Sequence, residues 1–379
     1  MERVHVLIVG AGVVGCAVAA AVSKSYADVF IVEQMPKPGM LSSTRNSGVI
    51  HSGVYYPPGS LKARHCLAGN RLTYEFCAAH GVAFRRSGKV IVATTEDEET
   101  QLAALCERGR TNGVEGLQIL DGAGLRAREP HVAGRGALLV PSAGIVSSEE
   151  LVKAYARVAA DQGASLVTHA RVVALEPKAD CVRARIRMQA AERPEGAVEE
   201  TIEARCVVNS AGLFADEVAA LVGNTSWRIY PVRGEYCEVV RAKSHLVNAL
   251  VYPVPHPHGL SLGVHLTKTL AETILLGPTA RYIEDKNNYE DDLEPVEEFA
   301  RRARRLLPEI EAADLRPAFS GIRAKLVPPG PGKGSADFVI TPDPATPRII
   351  HLVGIESPGL TAAASIAQHV AGLAREVLG

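Results

Sequence analysis

Short apolar runs and helical stretches alternate along this chain, and their order predicts most of its elements. Residues 4–9 (VHVLIV) form an almost unbroken apolar run, which predicts a strand buried on both faces. A helical run follows at 16–24, and a second apolar strand at 28–32 ends in Glu33. Residues 61–80 read as an amphipathic helix, 82–95 as two strands, and 96–113 as a charged helix with Asp97 and Glu98 in its first turn. A short helix is expected at 121–129 and a strand at 136–146 with a turn at Pro141. Ser147 or Ser148 opens a helix to about 162, with Leu151, Ala154, Tyr155 and Val158 on one face. Strands at 164–167 and 170–175 restore the αβ rhythm, and 182–188 with 198–205 alternate as a hairpin across a loop at 192–196. Residues 207–216 repeat the strand, glycine turn and helix start. From 230 to 276 the texture becomes strand-rich, predicting an antiparallel sheet. An amphipathic helix at 293–307 carries Arg301, Arg302, Arg304 and Arg305 as a solvated face; a strand at 349–353 and a final helix opening at 354–361 complete the chain.

The first 34 residues carry the clearest chemistry. The strand at 4–9 runs into Gly10, Gly12 and Gly15 as a GxGxxG, and Glu33 stands 18 residues beyond Gly15. Gly10 permits the tight turn, Gly12 lets the backbone approach a pyrophosphate, and Gly15 lets helix and strand pack closely. Val13 and Val14 then lie at the helix N-terminus, where unpaired N–H groups favour phosphate. Glu33, followed by Gln34, can accept hydrogen bonds from ribose hydroxyls and disfavours a 2′-phosphate, so NAD or FAD is expected rather than NADP.

The order of units separates those two. Nucleotide-type βα units occupy the start, the region near 145–225 and the end, with β-rich segments between them. A cofactor domain in three pieces is the arrangement of glutathione-reductase-like flavoproteins, so FAD is expected. The fold class is therefore α/β: a Rossmann FAD domain with an inserted α+β substrate domain built on an antiparallel sheet. The division places FAD-binding parts at 1–82, 147–226 and 323–379, and substrate-domain parts at 83–146 and 227–322.

Composition narrows the partners. The 379 residues hold 41 basic and 42 acidic side chains, so no global field recommends nucleic acid. Seven scattered cysteines without a CxxC suggest neither a disulfide framework nor a metal site. The apolar N-terminus is interrupted by the glycines and reads as core rather than a signal peptide. No apolar run reaches the ~18 to 20 residues that span a bilayer. A cytoplasmic protein is expected, with peripheral contact to the inner membrane left open.

Four segments carry a resemblance: RNSGVIHSGVYYPPGSLKARHCLAGN (45–70), PVRGEY (231–236), LVYPVP with LGVHLT (250–255 and 262–267), and SGIRAK (320–325). They resemble the D-amino-acid-oxidase-like superfamily of FAD enzymes, and within it the L-2-hydroxyglutarate dehydrogenase/oxidase group. The likeness covers essentially the whole chain. It departs at 354–360 (GIESPGL), where the group carries an Asn-Ala-Pro-Ser-Pro-type segment. The resemblance implies oxidation of a small 2-hydroxy acid, with oxygen or a quinone as electron acceptor. It places Ser43, Thr44, Ser47 and Gly48 near pyrophosphate and flavin, and Val172 against the adenine through its backbone. Ala211 and Gly212 would pass the nucleotide. Gly359, Leu360 and Thr361 would meet the flavin N1/O2 edge, where helix N–H groups stabilise negative charge.

Removing a hydride from Cα requires a base for the hydroxyl proton, and histidine suits it near neutral pH. His51 is the first candidate and His265 the second; either could instead be a histidine satisfied in a packed turn or strand. Arg323, in SGIRAK, resembles the carboxylate-binding arginine of the superfamily's amino-acid oxidases. A second carboxylate needs another cation, for which Arg233, Lys325 and Lys62 are candidates, and Tyr252 could orient the substrate. The rival readings are an amine or amino-acid oxidase of the glycine- or sarcosine-oxidase kind, and a non-catalytic FAD-bearing assembly protein. A glycerol-3-phosphate dehydrogenase-like activity is a further variant, without an evident basic cluster for phosphate. FAD is expected to bind noncovalently.

Overall fold

The computed structural model describes residues 2–188, 198–255, 262–330 and 336–379. The loop expected at 192–196 and residues 256–261 of the strand-rich stretch expected at 230–276 lie outside them.

Strand Glu2–Val9 stands at the centre of an eight-stranded sheet. It pairs in parallel with Val29–Val32 on one side and Val198–Asn209 on the other, with Val9 opposite Asn209. Its side chains alternate between two cores, as a strand with both faces covered must. Val6 and Ile8 meet the helices Val13–Val22, Ser148–Asp161 and Gly359–Leu378. Leu7 and Val9 pack instead with Val172, Leu175, Val182 and Ala184. The long strand corrects one expectation: 198–205 and 207–209 are not separate pieces but one strand, Val198–Asn209. Its first half pairs antiparallel with Val182–Met188, and its last residues pair parallel with Ile349–Val353.

The second sheet has nine strands and is antiparallel except at one pair. Leu250–Pro253 runs parallel to Lys89–Ala93, with Leu250 beside Lys89 and Tyr252 beside Ile91. Strand Leu315–Lys325 pairs with Tyr230–Val239 along almost its whole length and runs unbroken across the 322/323 division drawn from sequence. The strand expected at 136–146 is two, Gly136–Val140 and Gly144–Val146, and they join different sheets on either side of Pro141. The helix expected at 293–307 is only Val296–Ala303. Pro295 occupies its N-cap, and Pro308 disfavours helical backbone at Leu307. Among the described residues, no helix is long and apolar enough to cross a membrane.

Candidate active site

Two cavities, ≈ 540 and ≈ 650 Å³, meet along Gly12, Ser42, Ser43, Ser210 and Gly212. The smaller lies where strand Glu2–Val9 enters helix Val13–Val22, and Gly10, Glu33, Gln34, Val172 and Ala211 line it together with Gly12, Ser43 and Gly212. The turn is built for close approach. Gly10 has φ +100°, and a Cβ there would stand 2.7 Å from the Ser210 carbonyl oxygen. Gly15 does not reach a cavity: a Cβ would lie 2.0 Å from Gly10 O, so its role is the helix–strand contact. Glu33 accepts from the N–H of Ala11 (2.7 Å) and of Met35 (2.8 Å), which holds its carboxylate at the strand tip. Burial nonetheless raises its pKa above the ordinary range, although those N–H groups pull it down. Ser43 Oγ accepts from Val13 N at 2.9 Å, tying the helix N-terminus to the loop.

The larger cavity gathers the reactive candidates. Val13, Val14, Ser47, His51, Lys62, Tyr252, His265, Arg323, Lys325, Gly359 and Leu360 all line it. Pairing explains which arginine arrives. Val232 sits opposite Arg323, and Arg233 opposite Ile322, so the two arginines point to opposite faces of the sheet. Gly234 and Tyr236, on the Arg323 side, line the cavity. Arg233 does not. It is fully buried, bonded through Nε to Glu235 at 2.9 Å and through its other nitrogens to Asn288 and Asp292. The expectation that Arg233 binds substrate is therefore corrected: it is an internal ion pair.

Arg323 Nη1 donates to Thr279 O at 3.2 Å, and among the described residues no carboxylate oxygen lies within 4.0 Å of its guanidinium. Lys62 Nζ is 2.9 Å from Glu356 Oε1, and Lys325 Nζ is 3.5 Å from its Oε2. Two lysines thus share one carboxylate. Burial would raise the Glu356 pKa, but the lysines outweigh it and hold the carboxyl below the ordinary range.

The histidines sit in strongly shaped surroundings. His265 Nδ1 donates to Gly263 O at 2.9 Å, which leaves Nε2 with the free lone pair in the neutral ring. Its ring stacks on Tyr252 with centroids 3.8 Å apart. Burial, with Lys89 and Arg323, pushes its pKa down to about 3 despite the Gly263 bond. His51 is half-buried, its Nε2 lies 3.2 Å from Ser357 Oγ, and among the described residues its Nδ1 has no hydrogen-bond partner. Its backbone N–H donates to Thr361 Oγ1 at 2.9 Å. Burial, then Lys89 and His265, holds its pKa well below the usual value.

Three expected cofactor contacts stand behind the wall instead. Thr44 Oγ1 donates to Gly39 O at 2.8 Å, and a Cβ on Gly48 (φ +64°) would lie 2.5 Å from Val146 O. Thr361 is buried and orients the His51 segment. Other wall residues were not singled out in the sequence: Tyr55, Tyr56, Tyr236, Glu356 and Ser357, with Arg45 placed 4.5 Å over the Tyr289 ring. Glu356 and Ser357 had a signal, since they fall in the segment that departs from the group's pattern. Lys89, buried behind Tyr55 and Tyr252, had none. Among the described residues no group of three or more potential metal ligands occurs.

The joined cavities and the crowded glycine turn fit an extended dinucleotide flavin. The known proteins agree. L-2-hydroxyglutarate dehydrogenase of Escherichia coli K12 is 33% identical over 408 residues, covering 98% of this chain and 93% of that protein. The mitochondrial L-2-hydroxyglutarate dehydrogenase of Arabidopsis thaliana is 34% identical, covering 98% and 83%. Among solved structures, the L-alpha-glycerophosphate oxidase of Mycoplasma pneumoniae with FAD bound has a TM-score of 0.87 at 26% identity, covering 99% and 95%. Glycine oxidase from Geobacillus kaustophilus, at 23% identity and TM-score 0.81 over 99% and 95%, shares the fold. The family described as FAD dependent oxidoreductase matches residues 5–373, and with these relatives it shows that the chain belongs to the DAO family of FAD-dependent oxidoreductases.

Proposed function

We propose that this chain oxidises L-2-hydroxyglutarate to 2-oxoglutarate. The observation that carries the reading is the convergence of His51, His265 and Arg323 on one cavity beside two lysines that share a single glutamate. Arg323, whose guanidinium meets no carboxylate among the described residues, suits the carboxylate next to the reacting carbon. Lys62 and Lys325 against Glu356 leave one positive charge unmatched, which suits the distal carboxylate of a dicarboxylate. The flavin, when bound, supplies the acceptor for the hydride. A neutral histidine takes the hydroxyl proton, at Nε2 if it is His265, whose Nδ1 proton is held by Gly263. Tyr252, stacked on His265, keeps that ring in place. The names of the curated relatives support the substrate.

The same proposal assigns the smaller cavity to the adenosine half of FAD and the Gly359–Leu360 turn to the flavin edge, and it keeps the five-part domain division with its last boundary moved past strand Leu315–Lys325. It treats the protein as cytoplasmic, with oxygen or a quinone as acceptor and contact with the inner membrane at most peripheral.

One observation favours a second reading. Arg323, Lys62 and Lys325 form the basic cluster that the sequence did not reveal, and a phosphate would fit it; the 26%-identical neighbour is an L-alpha-glycerophosphate oxidase. An anaerobic visible titration of the FAD-loaded protein separates the two. Loss of the oxidised-flavin bands with L-2-hydroxyglutarate, and not with its D-enantiomer or glycerol 3-phosphate, is the expected result. Bleaching by glycerol 3-phosphate alone would replace the proposal with the second reading.

A further inference from the structure

We propose that Lys89 is a positioning residue whose ammonium, stacked behind Tyr252, adds to burial in opposing protonation of the cavity histidines. The inference deepens the reading of this cavity as a proton-abstracting site and rests on it.

Lys89 opens strand Lys89–Ala93, next to Leu250 on one side and Val140 on the other. It is 1% exposed, and among the described residues its Nζ has no hydrogen-bond partner. Among the described residues no carboxylate forms an ion pair with it. Two aromatic faces receive the charge instead: Nζ lies 4.0 Å from the Tyr252 centroid and 5.1 Å from that of Tyr55. The Tyr252 ring stacks on His265 at 3.8 Å with an interplanar angle of 16°. One ring therefore separates a buried cation from the imidazole.

A buried ammonium without a counter-ion is costly, and tyrosine faces offset only part of that cost. Its retention makes sense where the charge acts on a neighbour. The groups that face it are Tyr55, Tyr252, Cys66, His51 and His265. His265 also faces Arg323 and the Gly263 carbonyl, and His51 faces Ser357. None of these is a carboxylate. A proton added to either histidine would therefore meet Lys89 with no anion between them. Burial pushes the Lys89 pKa down to about 7, so the side chain is charged across the acid range in which the histidines titrate.

The test follows each histidine by NMR in selectively labelled, FAD-saturated protein, with His51→Gln and His265→Gln assigning the signals. In Lys89→Met, the midpoint of His265 or His51 should rise by about 1.5 pH units, from a charge ~8 Å away at an effective dielectric near 20. Lys89→Arg should leave the midpoints unchanged. Unmoved midpoints in a Lys89→Met protein that keeps its FAD and its circular dichroism would overturn the proposal. If that variant does not fold, the wild-type Lys89 Cε shift is titrated instead. A side chain protonated while the histidines titrate supports the proposal, and a neutral one overturns it. Neither readout uses a substrate, so failure of L-2-hydroxyglutarate to bleach the flavin would sink the substrate assignment alone.

Discussion

Glu356 Oε1 accepts a hydrogen bond from Lys62 Nζ at 2.9 Å in the wall of the larger cavity, while Lys325 approaches its other oxygen at 3.5 Å. Replacing Glu356 by Gln removes the carboxylate that two largely buried cations share. A loss of about 3 kcal/mol in unfolding free energy is expected for the FAD-saturated protein, measured by denaturant titration. The carboxyl titrates below its ordinary range, so its contribution is complete at neutral pH and is lost as pH falls through the lowered folded value. The gap between wild type and Glu356→Gln should accordingly hold at pH 7 and shrink only below about pH 4. Equal stability at pH 7 would remove the ion pair from this account.

The low histidine pKa values have a kinetic consequence. His265 is pushed down to about 3 and His51 lies well below its usual value, so both are neutral throughout the physiological range. The flavin reduction rate should show no histidine-type loss as pH falls from 8 to 6. His51→Gln and His265→Gln separate the base from its neighbour: one should lower the reductive rate by roughly 10²- to 10⁴-fold, the other by much less. Two variants that both reduce flavin at the wild-type rate would leave the site without a histidine base.

Arg323 and Arg233 lie one residue apart in register on opposite faces of the same sheet, and they should behave differently. Arg323→Met should lower kcat/KM about 100-fold with stability nearly intact, because a charge-assisted bond to substrate is lost. Arg323→Lys should recover only part of that, since an ammonium lacks the two-pronged geometry. Arg233→Met should instead cost about 3 kcal/mol of stability by removing the nearest cation from buried Glu235, with an unchanged KM in the folded protein. A raised KM in Arg233→Met would return it to the substrate site.

Gly15 tests the dinucleotide turn. A methyl group there would lie 2.0 Å from Gly10 O and 2.7 Å from Ser210 Oγ, so helix and strand must separate. Gly15→Ala should emerge from gel filtration with less than about a tenth of the wild-type flavin absorbance, as a backbone shift of that kind displaces the phosphate site. Full flavin occupancy would show that the turn tolerates the displacement.

The local features were legible because local physics produces them. A buried parallel strand needs an apolar run and the turn needs glycine at Gly10, so residues 4–33 spelled out the strand, turn and helix that line the smaller cavity. His51, His265 and Arg323 were legible through motif resemblance, and the cavity does contain all three. Arg233 misled because PVRGEY reads equally well in either phase; only its pairing, Val232 opposite Arg323, decides which side chain meets the cavity.

What the sequence determined by itself is the βα order, the glycine turn, the FAD-type arrangement and the absence of a long apolar span. Each depends on neighbours within a few residues, where periodicity and backbone sterics act. The tertiary structure alone decided which charges are matched. Lys62, Lys325 and Glu356 come from three separate segments, and Lys89 reaches Tyr252 and His265 only because three strands lie side by side. Ion pairing and desolvation depend on distances through space, and no spacing along the chain encodes those.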